Sequence, residues 1–377
     1  MNLRRVWAVA RKEFLHVLRD FRSLLMAIAI PMLMLLLFGY ALTLDVKNVR
    51  LVVWDQSGTQ LSRELISRFT GSPYFSLQGY VNNYRDLEQA IDSRRAMLAL
   101  VIPVDFAGQI ASGRDAPVQL IVDGSDSNTA TIALGYAEVL TQIYSQDLVL
   151  RQFQQRGGAA PRIPLEVRPR VWFNTDLESR NFIIPGLIAV IMMVIAAMLT
   201  SLTFAREWER GTMEQLISTP VKARELILGK LLPYFAVGMF DVLLAVLMGE
   251  LLFGVPLRGN VALLFGTAAL FLAGALAMGM TISIIAKNQL LASQVAMVAT
   301  FLPAFLLSGF VFTIANMPKV IQIITYIVPA RYFVAILKGI YLKGVGLEIL
   351  AGETALLTAF GVIMILLANF KLKKKLM

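Results

Sequence analysis

Residues 204–230 read FAREWERGTMEQLISTPVKARELILGK, and long apolar runs flank them on both sides, at residues 182–204 and 226–255. Each run reaches the ~20 residues that a helix needs to cross the hydrocarbon core of a bilayer. The stretch between them is charged but balanced, because four basic and four acidic side chains lie between Arg206 and Glu225. This alternation is typical of a membrane protein in which a charged segment joins two spans.

The composition of the whole chain supports the same class. Hydrophobic residues make up 57% and charged residues 16%, with a mean hydropathy of +0.67. There is no cysteine, which excludes disulfides and thiolate metal sites. The formal net charge of +10 does not require a nucleic-acid partner. Residues 45–180 carry 14 Lys and Arg against 15 Asp and Glu, so the positive excess flanks the apolar runs, as the positive-inside rule expects.

Six transmembrane helices are predicted. Besides the two runs above, four more lie at residues 23–44, 261–286, 291–312 and 351–370. The first is too long for a signal peptide and has no clear small-residue cleavage site, so we interpret it as an uncleaved span. Residues 313–346 are apolar but interrupted by prolines and glycines. Non-helical backbone survives at membrane depth only when protein shelters it, so a re-entrant hairpin is predicted before the last span.

The chain divides into a membrane part and a polar insert. Residues 1–22 combine six Arg and Lys with apolar residues at helical spacing, which predicts an amphipathic helix on the inner membrane face. Residues 45–178 predict an α/β domain. Its strands are expected at 50–54, 74–80, 97–102 and 118–122, and its helices at 60–69, 84–94, 103–113 and 128–155. Residues 179–377 form the five-helix remainder.

The distribution of Lys and Arg predicts the orientation. The side that holds both termini and residues 204–230 carries more of them than the short loops opposite. We therefore expect both termini in the cytoplasm and the α/β domain outside.

The charged stretch predicts a short docking helix. Thr212 precedes Gln215 by three residues, as in a capping box, and Pro220 would begin the next helix. Such a helix, at residues 213–218, suits docking into a groove of another protein. The side chains expected at its surface are Met213, Leu216 and Ile217, beside Glu214 and Gln215. An ordinary amphipathic loop between two spans is the alternative that these residues leave open.

No motif supports catalysis within this polypeptide. Gly229-Lys230 is followed by Leu231 rather than Ser or Thr, and no glycine precedes it at the spacing of a phosphate-binding loop. HExxH and GxSxG motifs are absent, and the single histidine, His16, lies in the amphipathic helix. We expect no cofactor or metal in this chain, so any ATP chemistry must take place on another one.

Asp241 is the charged residue expected deepest in the membrane. It follows Lys230 by eleven residues, which is about 16 Å along a helix. A carboxylate at that depth is costly and functional by default, so Asp241 is expected to line a substrate path and favour cationic amphiphiles. A structural residue satisfied by a neighbouring helix or by water is the alternative. Met192 and Met193 would form an adaptable apolar wall or ordinary filler of the bundle.

Small residues in the span at 261–286 predict close helix packing. They lie at residues 266–269 and 273–279. Packing is a simpler explanation for them than a direct role in substrate binding.

Together these motifs resemble the membrane subunits of type-2 ABC exporters. The pattern ExERGTxExLxxTPVxxxExxxGK at residues 207–230 carries the resemblance, together with Leu307-Ser308-Gly309-Phe310, Met317-Pro318 and Pro329-Ala330-Arg331-Tyr332. The resemblance covers essentially the whole chain and is strongest over residues 180–377. It is nearest to the bacterial drug exporters that have a large periplasmic domain between the first two spans.

The resemblance implies roles for several segments. Residues 207–220 would be the coupling helix against an ATP-binding subunit, residues 1–22 the interface helix, and residues 313–346 the re-entrant segment. The implied coupling residues are Glu207, Glu209, Arg210, Gly211, Thr212, Glu214, Leu216 and Pro220. The implied outer-gate residues are Leu307, Ser308, Gly309, Phe310, Pro318 and Pro329.

The resemblance also implies an assembly in the bacterial inner membrane. It would comprise two permease subunits, identical or paralogous, and two ATP-binding subunits that carry ATP and Mg, with a periplasmic adaptor and an outer-membrane channel as further partners. The implied function is export of amphipathic drug-like or lipid-like compounds by alternating access. The alternatives are a polysaccharide or glycolipid exporter, and a membrane-anchored sensor or scaffold with an outer ligand-binding domain.

Overall fold

The computed structural model describes residues 2–41, 46–155, 172–174 and 178–372. The chain divides into two units, Met1–Thr43 with Val171–Met377, and Leu44–Arg170. The helices, in chain order, are α1 Leu3–Arg19, α2 Phe21–Ala41, α3 Gln60–Thr70, α4 Tyr84–Asp92, α5 Phe106–Ala111, α6 Ser127–Gln155, α7 Arg180–Glu209, α8 Thr212–Ser218, α9 Ala223–Leu251, α10 Val261–Ala286, α11 Gln289–Leu307, α12 Lys319–Ile324, α13 Pro329–Lys338 and α14 Leu347–Lys371. The strands are β1 Val49–Asp55, β2 Phe75–Tyr80, β3 Leu98–Ile102 and β4 Gln119–Val122.

The smaller unit is an α/β fold around one four-stranded sheet. The strand order is β2-β1-β3-β4, with β1 parallel to β2 and β3, and β4 antiparallel to β3. Every residue of β3 is buried, as expected for an inner strand with both faces covered. All four strands begin and end within one residue of the bounds predicted from the sequence, whereas α5 is shorter than the predicted helix at 103–113.

Alternate residues of the strands pack on opposite faces of this sheet. Leu51 and Leu100 lie in a core that includes residues of α3 and α6, while Val52 and Ala99 lie in a second core with residues of α4. The hydroxyl of Tyr144 on α6 donates a hydrogen bond to the Leu61 carbonyl over 2.8 Å. Burial raises the pKa of Tyr144 to about 12, so its hydroxyl remains a donor throughout the neutral range.

The larger unit is a helical bundle. The helices α7, α9, α10, α11 and α14 are each long and apolar enough to cross a membrane, and the bent pair after α11 would bring the number to six if it counts as one span. Within α2 the apolar part, Ala27–Ala41, is shorter. The most buried of these helices is α7, which packs against α2, α9, α10, α11 and α13. Five of the six predicted spans are therefore candidates by helix length and hydropathy, whereas the span predicted at residues 23–44 is not among them in the described part of the chain.

Two helix ends differ most from the predicted spans, those of α7 and α11. The apolar run at 182–204 was expected to end before the charged stretch, but α7 continues through Glu209, so Glu207 and Glu209 lie on its last turns. The run at 291–312 was expected to be one helix, but α11 ends at Leu307. Gly309 has a left-handed φ of 79°, which a continuing helix does not accommodate.

Residues 313–346 form short helices with a sharp bend. Segments Lys319–Ile327 and Pro329–Lys343 meet at 90°. Val328 is extended, with φ −87° and ψ 109°, because the ring of the following proline disfavours helical backbone at the residue before it. The end of the domain predicted at residues 45–178 lies largely outside the described residues, and so do residues 373–377.

Candidate functional site

A buried ionic network joins α1, α7 and α9. Lys230 on α9 is 1% exposed, and its ammonium donates to Glu13 Oε1 over 2.5 Å and to Glu207 Oε1 over 3.1 Å. Lys12 on α1 also donates to Glu207 Oε1, over 3.1 Å. Two ammonium groups and two carboxylates balance each other here. Lys12 is exposed, whereas Lys230 and Glu13 are buried and can be so because each is paired. The network fixes three helices to one another beside the end of α7.

The helix α8 begins directly at this network. Gly211, with a left-handed φ of 69°, reverses the chain between α7 and α8 in a connection that a residue with a Cβ would strain. The hydroxyl of Thr212 donates to the carboxylate of Glu207. The predicted capping box with Gln215 is therefore wrong. Gly211 occupies the cap, and Thr212 is the first helical residue with its side chain turned back to α7.

The apolar face of α8 is attached to its own chain. Met213, expected at the surface, is 0% exposed and belongs to the core of the bundle, and Leu216 packs partly buried against that core. Glu214 and Gln215 are exposed, as predicted. The side chain of Ile217 lies outside the described residues. The surface that α8 offers to a partner is therefore polar and acidic rather than apolar.

The segment after α8 is held by hydrogen bonds from the start of α1. Pro220 was predicted to begin the next helix but lies in the connection, and its carbonyl accepts a hydrogen bond from Arg5 Nη1 over 2.6 Å. The next helix, α9, begins at Ala223 instead, because the Glu225 carboxylate caps its start by accepting from the Lys222 backbone N–H over 3.0 Å. Glu225 also accepts from the Asn2 backbone N–H over 2.7 Å.

The opposite side of α7 is tied to α10 and α11. Glu209 accepts from the backbone N–H of Gln289 over 2.8 Å and from the side-chain amide of the same residue. The ammonium of Lys287 lies 4.7 Å from the ring centroid of Trp208, within the range of a cation–π contact. Arg210 ends α7 and is exposed. The predicted coupling residues thus converge on one end of the bundle.

Glu13 is the member of this site that sequence reasoning missed. It lies in the stripe of α1 that is buried, together with Val6, Ala10 and Val17. A carboxylate within an apolar stripe is the signal that was available. The helical spacing of the apolar residues predicts one amphipathic face, and this pattern alone does not separate the buried stripe from the exposed apolar one.

The predicted path residues lie in the packed interior of the bundle. Asp241 is 0% exposed, and neither carboxylate oxygen has a hydrogen-bond partner among the described residues. Met192 and Met193 are also buried within the core. A path role for these three residues stays a prediction. An unpartnered buried carboxylate is nevertheless costly enough to require an explanation.

The predicted gate residues lie beside the bent pair. Ser308 and Phe310 are buried, and the ring of Phe310 fills the space beside Gly186 of α7. The ammonium of Lys338 donates to the Gly309 carbonyl over 3.0 Å, which joins this loop to α13. Leu307 ends α11, while the exposed Pro318 precedes α12 and the buried Pro329 begins α13.

This fold and site define a multi-pass membrane protein in which the charged connection between two apolar helices is held against the bundle by hydrogen bonds and ion pairs. The family model described as ABC-2 family transporter protein matches residues 21–370. The chain therefore belongs to the ABC-2 transporter family.

Three relatives from Escherichia coli (strain K12) place it within that family. The chain is 41% identical over 377 residues to the probable multidrug ABC transporter permease YbhS, across 100% of this chain and 98% of the relative. It is 32% identical over 348 residues to the probable multidrug ABC transporter permease YbhR, across 92% of each chain. It is 26% identical to the inner membrane transport permease YhhJ, across 99% of this chain and 98% of the relative. The chain is thus an inner-membrane ABC permease, and the family implies an ATP-binding partner subunit and a dimeric permease.

Proposed function

We propose that this permease exports amphipathic drug-like or lipid-like compounds, and that α8 is the coupling helix through which ATP-binding subunits drive it. The observation that carries the proposal is the attachment of α8. Met213 and the Thr212–Glu207 hydrogen bond hold one side of the helix, while Glu214 and Gln215 are free on the other. Because one side of α8 is held by the rest of the chain, a force that a partner applies to the other side is transmitted to the bundle.

The ionic network would transmit this force to α1, α7 and α9. Glu207 lies at the end of α7, Lys230 near the start of α9 and Glu13 on α1. Because buried ion pairs are costly to separate, these three helices move together when α8 moves. Alternating access would follow from such a movement of two permeases against each other, with the loop at Leu307–Phe310 and the re-entrant pair after it as the outer gate.

The charge distribution supports the orientation that this mechanism needs. Both termini and α8 would face the cytoplasm, and the α/β unit would face the periplasm. Two ATP-binding subunits would supply ATP and Mg, and a periplasmic adaptor with an outer-membrane channel would complete the export route.

The names of two relatives support a drug-like cargo, since YbhS and YbhR are described as probable multidrug permeases. Asp241 would then favour cationic compounds, and Met192 and Met193 would form part of the wall. A polysaccharide or glycolipid cargo is a second candidate within the same class. A membrane-anchored sensor is less well supported, because a sensor needs one or two spans and this chain has five to six candidates.

The experiment is co-purification of the tagged permease from native membranes, with the ATP-binding subunit identified by mass spectrometry. Charge reversal at an interface costs several kcal/mol, so Glu214→Lys is expected to lower the recovered subunit at least about tenfold. Glu138→Lys on α6 is the matched control, since Glu138 is an exposed acid in the other unit. Unchanged recovery with Glu214→Lys would place docking elsewhere. Absence of any ATP-binding protein with the wild type would favour the sensor.

A further inference from the structure

The helix α1 presents three different faces. One is buried, mainly against α9, and contains Val6 and Ala10. A second is apolar yet exposed, and its members are Leu3, Trp7, Phe14 and Leu18. The third is basic. Exposed apolar residues in one stripe of a helix, beside a basic stripe, are typical of a helix that lies in the membrane interface.

The basic face of α1 forms one wall of a cavity of about 940 Å³. The other walls come from the last turns of α7 and the start of α11. The ionisable basic side chains that line the cavity are Arg11, Lys12, His16, Arg19, Arg206 and Arg210. Asp20 is the one carboxylate among the described residues that line it. The cavity is therefore strongly electropositive.

Most of this positive charge is unpaired within the described part of the chain. Lys12 is paired with Glu207. In the part of the chain that the structure describes, the side chains of Arg11, Arg19, Arg206 and Arg210 form neither a hydrogen bond nor an ion pair. Like charges that share one concave space repel each other, and an anion bound between them removes that cost.

We propose that this cavity binds the headgroup of an anionic phospholipid that carries two phosphates, as cardiolipin does. Guanidinium groups match phosphate oxygens in a two-pronged geometry, and four of them suit two phosphates with two arginines each. Basic pockets beside membrane helices on the cytoplasmic side are suited to such headgroups.

The neighbouring apolar stripe indicates that the phosphates belong to a lipid and not to a soluble anion. Trp7, Phe14 and Leu18 lie on the same helix as the cavity wall and are exposed, so the cavity opens next to a surface that acyl chains cover. A soluble anion gains nothing from that stripe. The bound lipid then joins α1 to the ends of α7 and α11 and stabilises their arrangement, whatever compound the protein transports.

The test uses the full-length permease, purified alone in detergent and stripped of lipid. Added cardiolipin is expected to bind, by native mass spectrometry, and to raise the temperature of thermal unfolding, whereas phosphatidylcholine does neither. Because each lost charge-assisted pair weakens binding substantially, Arg11→Gln with Arg19→Gln is expected to weaken cardiolipin binding at least about tenfold. Arg206→Gln alone is expected to weaken it in the same direction.

A matched control removes two charges outside the cavity. Arg4 and Arg224 are exposed and do not line it, so Arg4→Gln with Arg224→Gln is expected to bind cardiolipin within about twofold of wild type. All variants change exposed or half-exposed side chains that have no hydrogen-bond or ion-pair partner among the described residues. Their unfolding temperatures without lipid are therefore expected to be no lower than that of the wild type, since removing a cavity arginine also relieves repulsion, and this separates lost binding from lost folding.

Four results would overturn the proposal. If cardiolipin still binds to the variant with Arg11→Gln and Arg19→Gln, the cavity is not the binding site. If the control with Arg4→Gln and Arg224→Gln loses as much binding, the effect is one of overall charge and not of the cavity. Stabilisation by inorganic pyrophosphate equal to that by cardiolipin makes this a site for soluble anions. If the variant with Arg11→Gln and Arg19→Gln binds cardiolipin as the wild type does but recovers less ATP-binding subunit on co-purification from native membranes, the cavity is a protein-docking surface.

Discussion

Lys230 is an unusual residue to find fully buried, since lysine is almost never buried without a partner. Its position is explained by two carboxylates, Glu13 and Glu207, that come from different helices. Its ammonium also lies 5.4 Å from the ring centroid of Phe204, in the range of a cation–π contact. The stability of this end of the bundle therefore depends on charges that are satisfied only when all three helices are in place.

Removal of one member of the pair is expected to destabilise the protein. Glu13→Gln leaves the Lys230 ammonium with one carboxylate fewer in a buried site, and breaking a buried pair costs about 3–5 kcal/mol. Glu13→Leu combined with Lys230→Met should recover part of that loss, because no unpaired charge remains. Thermal unfolding in detergent measures both, with exposed Glu214→Gln as the control. A Glu13→Gln variant as stable as that control would contradict a structural role for the network.

Substitution of Asp241 is expected to have the opposite effect on stability. Its buried carboxylate has no hydrogen-bond partner among the described residues, so it costs stability and must be retained for another reason. Asp241→Asn is expected to keep or raise the unfolding temperature while lowering export of a cationic amphiphile at least about tenfold. Glu250→Gln changes an exposed acid on the same helix and is the control. Unchanged export in a well-assembled Asp241→Asn protein would exclude a role in the substrate path.

Among the elements, α7 and α10 form the tightest pair in the bundle. Gly279 of α10 lies against the Ala197 carbonyl and Thr200 of α7. Thr200 donates its hydroxyl to the Leu276 carbonyl over 2.8 Å, and Ser283 accepts from the backbone N–H of Phe204 over 2.9 Å. Within a bilayer the hydrophobic effect does not drive helices together. Close packing of small residues and interhelical hydrogen bonds stabilise their association instead.

An added methyl group is expected to act differently at Gly266 and Gly279, two of the three glycines of α10. A Cβ at Gly279 would collide with the Ala197 carbonyl, whereas a Cβ at Gly266 would meet nothing within 4 Å. Gly279→Ala is therefore expected to destabilise the protein by about 1–3 kcal/mol through overpacking. Gly266→Ala should be neutral or slightly stabilising, since alanine favours helix. Thermal unfolding of the two variants side by side checks this, and equal behaviour would show that α7 and α10 can separate without cost.

At the scale of the whole molecule, the lack of cysteine allows a clean test of orientation. Asn82 in the α/β unit and Gln215 on α8 are both exposed, so single cysteines can be introduced there. Asn82→Cys is expected to react with a membrane-impermeant maleimide in intact spheroplasts, and Gln215→Cys only in inverted vesicles. Labelling of both from the same side would refute the orientation on which the proposed function depends.

The sequence by itself determined most of the elements and the class of protein. Apolar runs near the length of a span and the period-two alternation of the strands are local properties, and α10 and all four strands were predicted almost to the residue. The bend at Val328 also follows locally from Pro329. These features need no knowledge of what packs against them.

Only the tertiary structure decided which residues of the site are partners. Glu13 and Lys230 are 217 residues apart, and no local pattern pairs them. Met213 looked like a docking anchor because its burial depends on a core contributed by distant helices. Thr212 looked like a helix cap because its true partner, Glu207, is reached only when Gly211 reverses the chain. The formation of α8 is therefore determined by the local sequence, whereas the packing of its apolar side against distant helices leaves an acidic surface exposed.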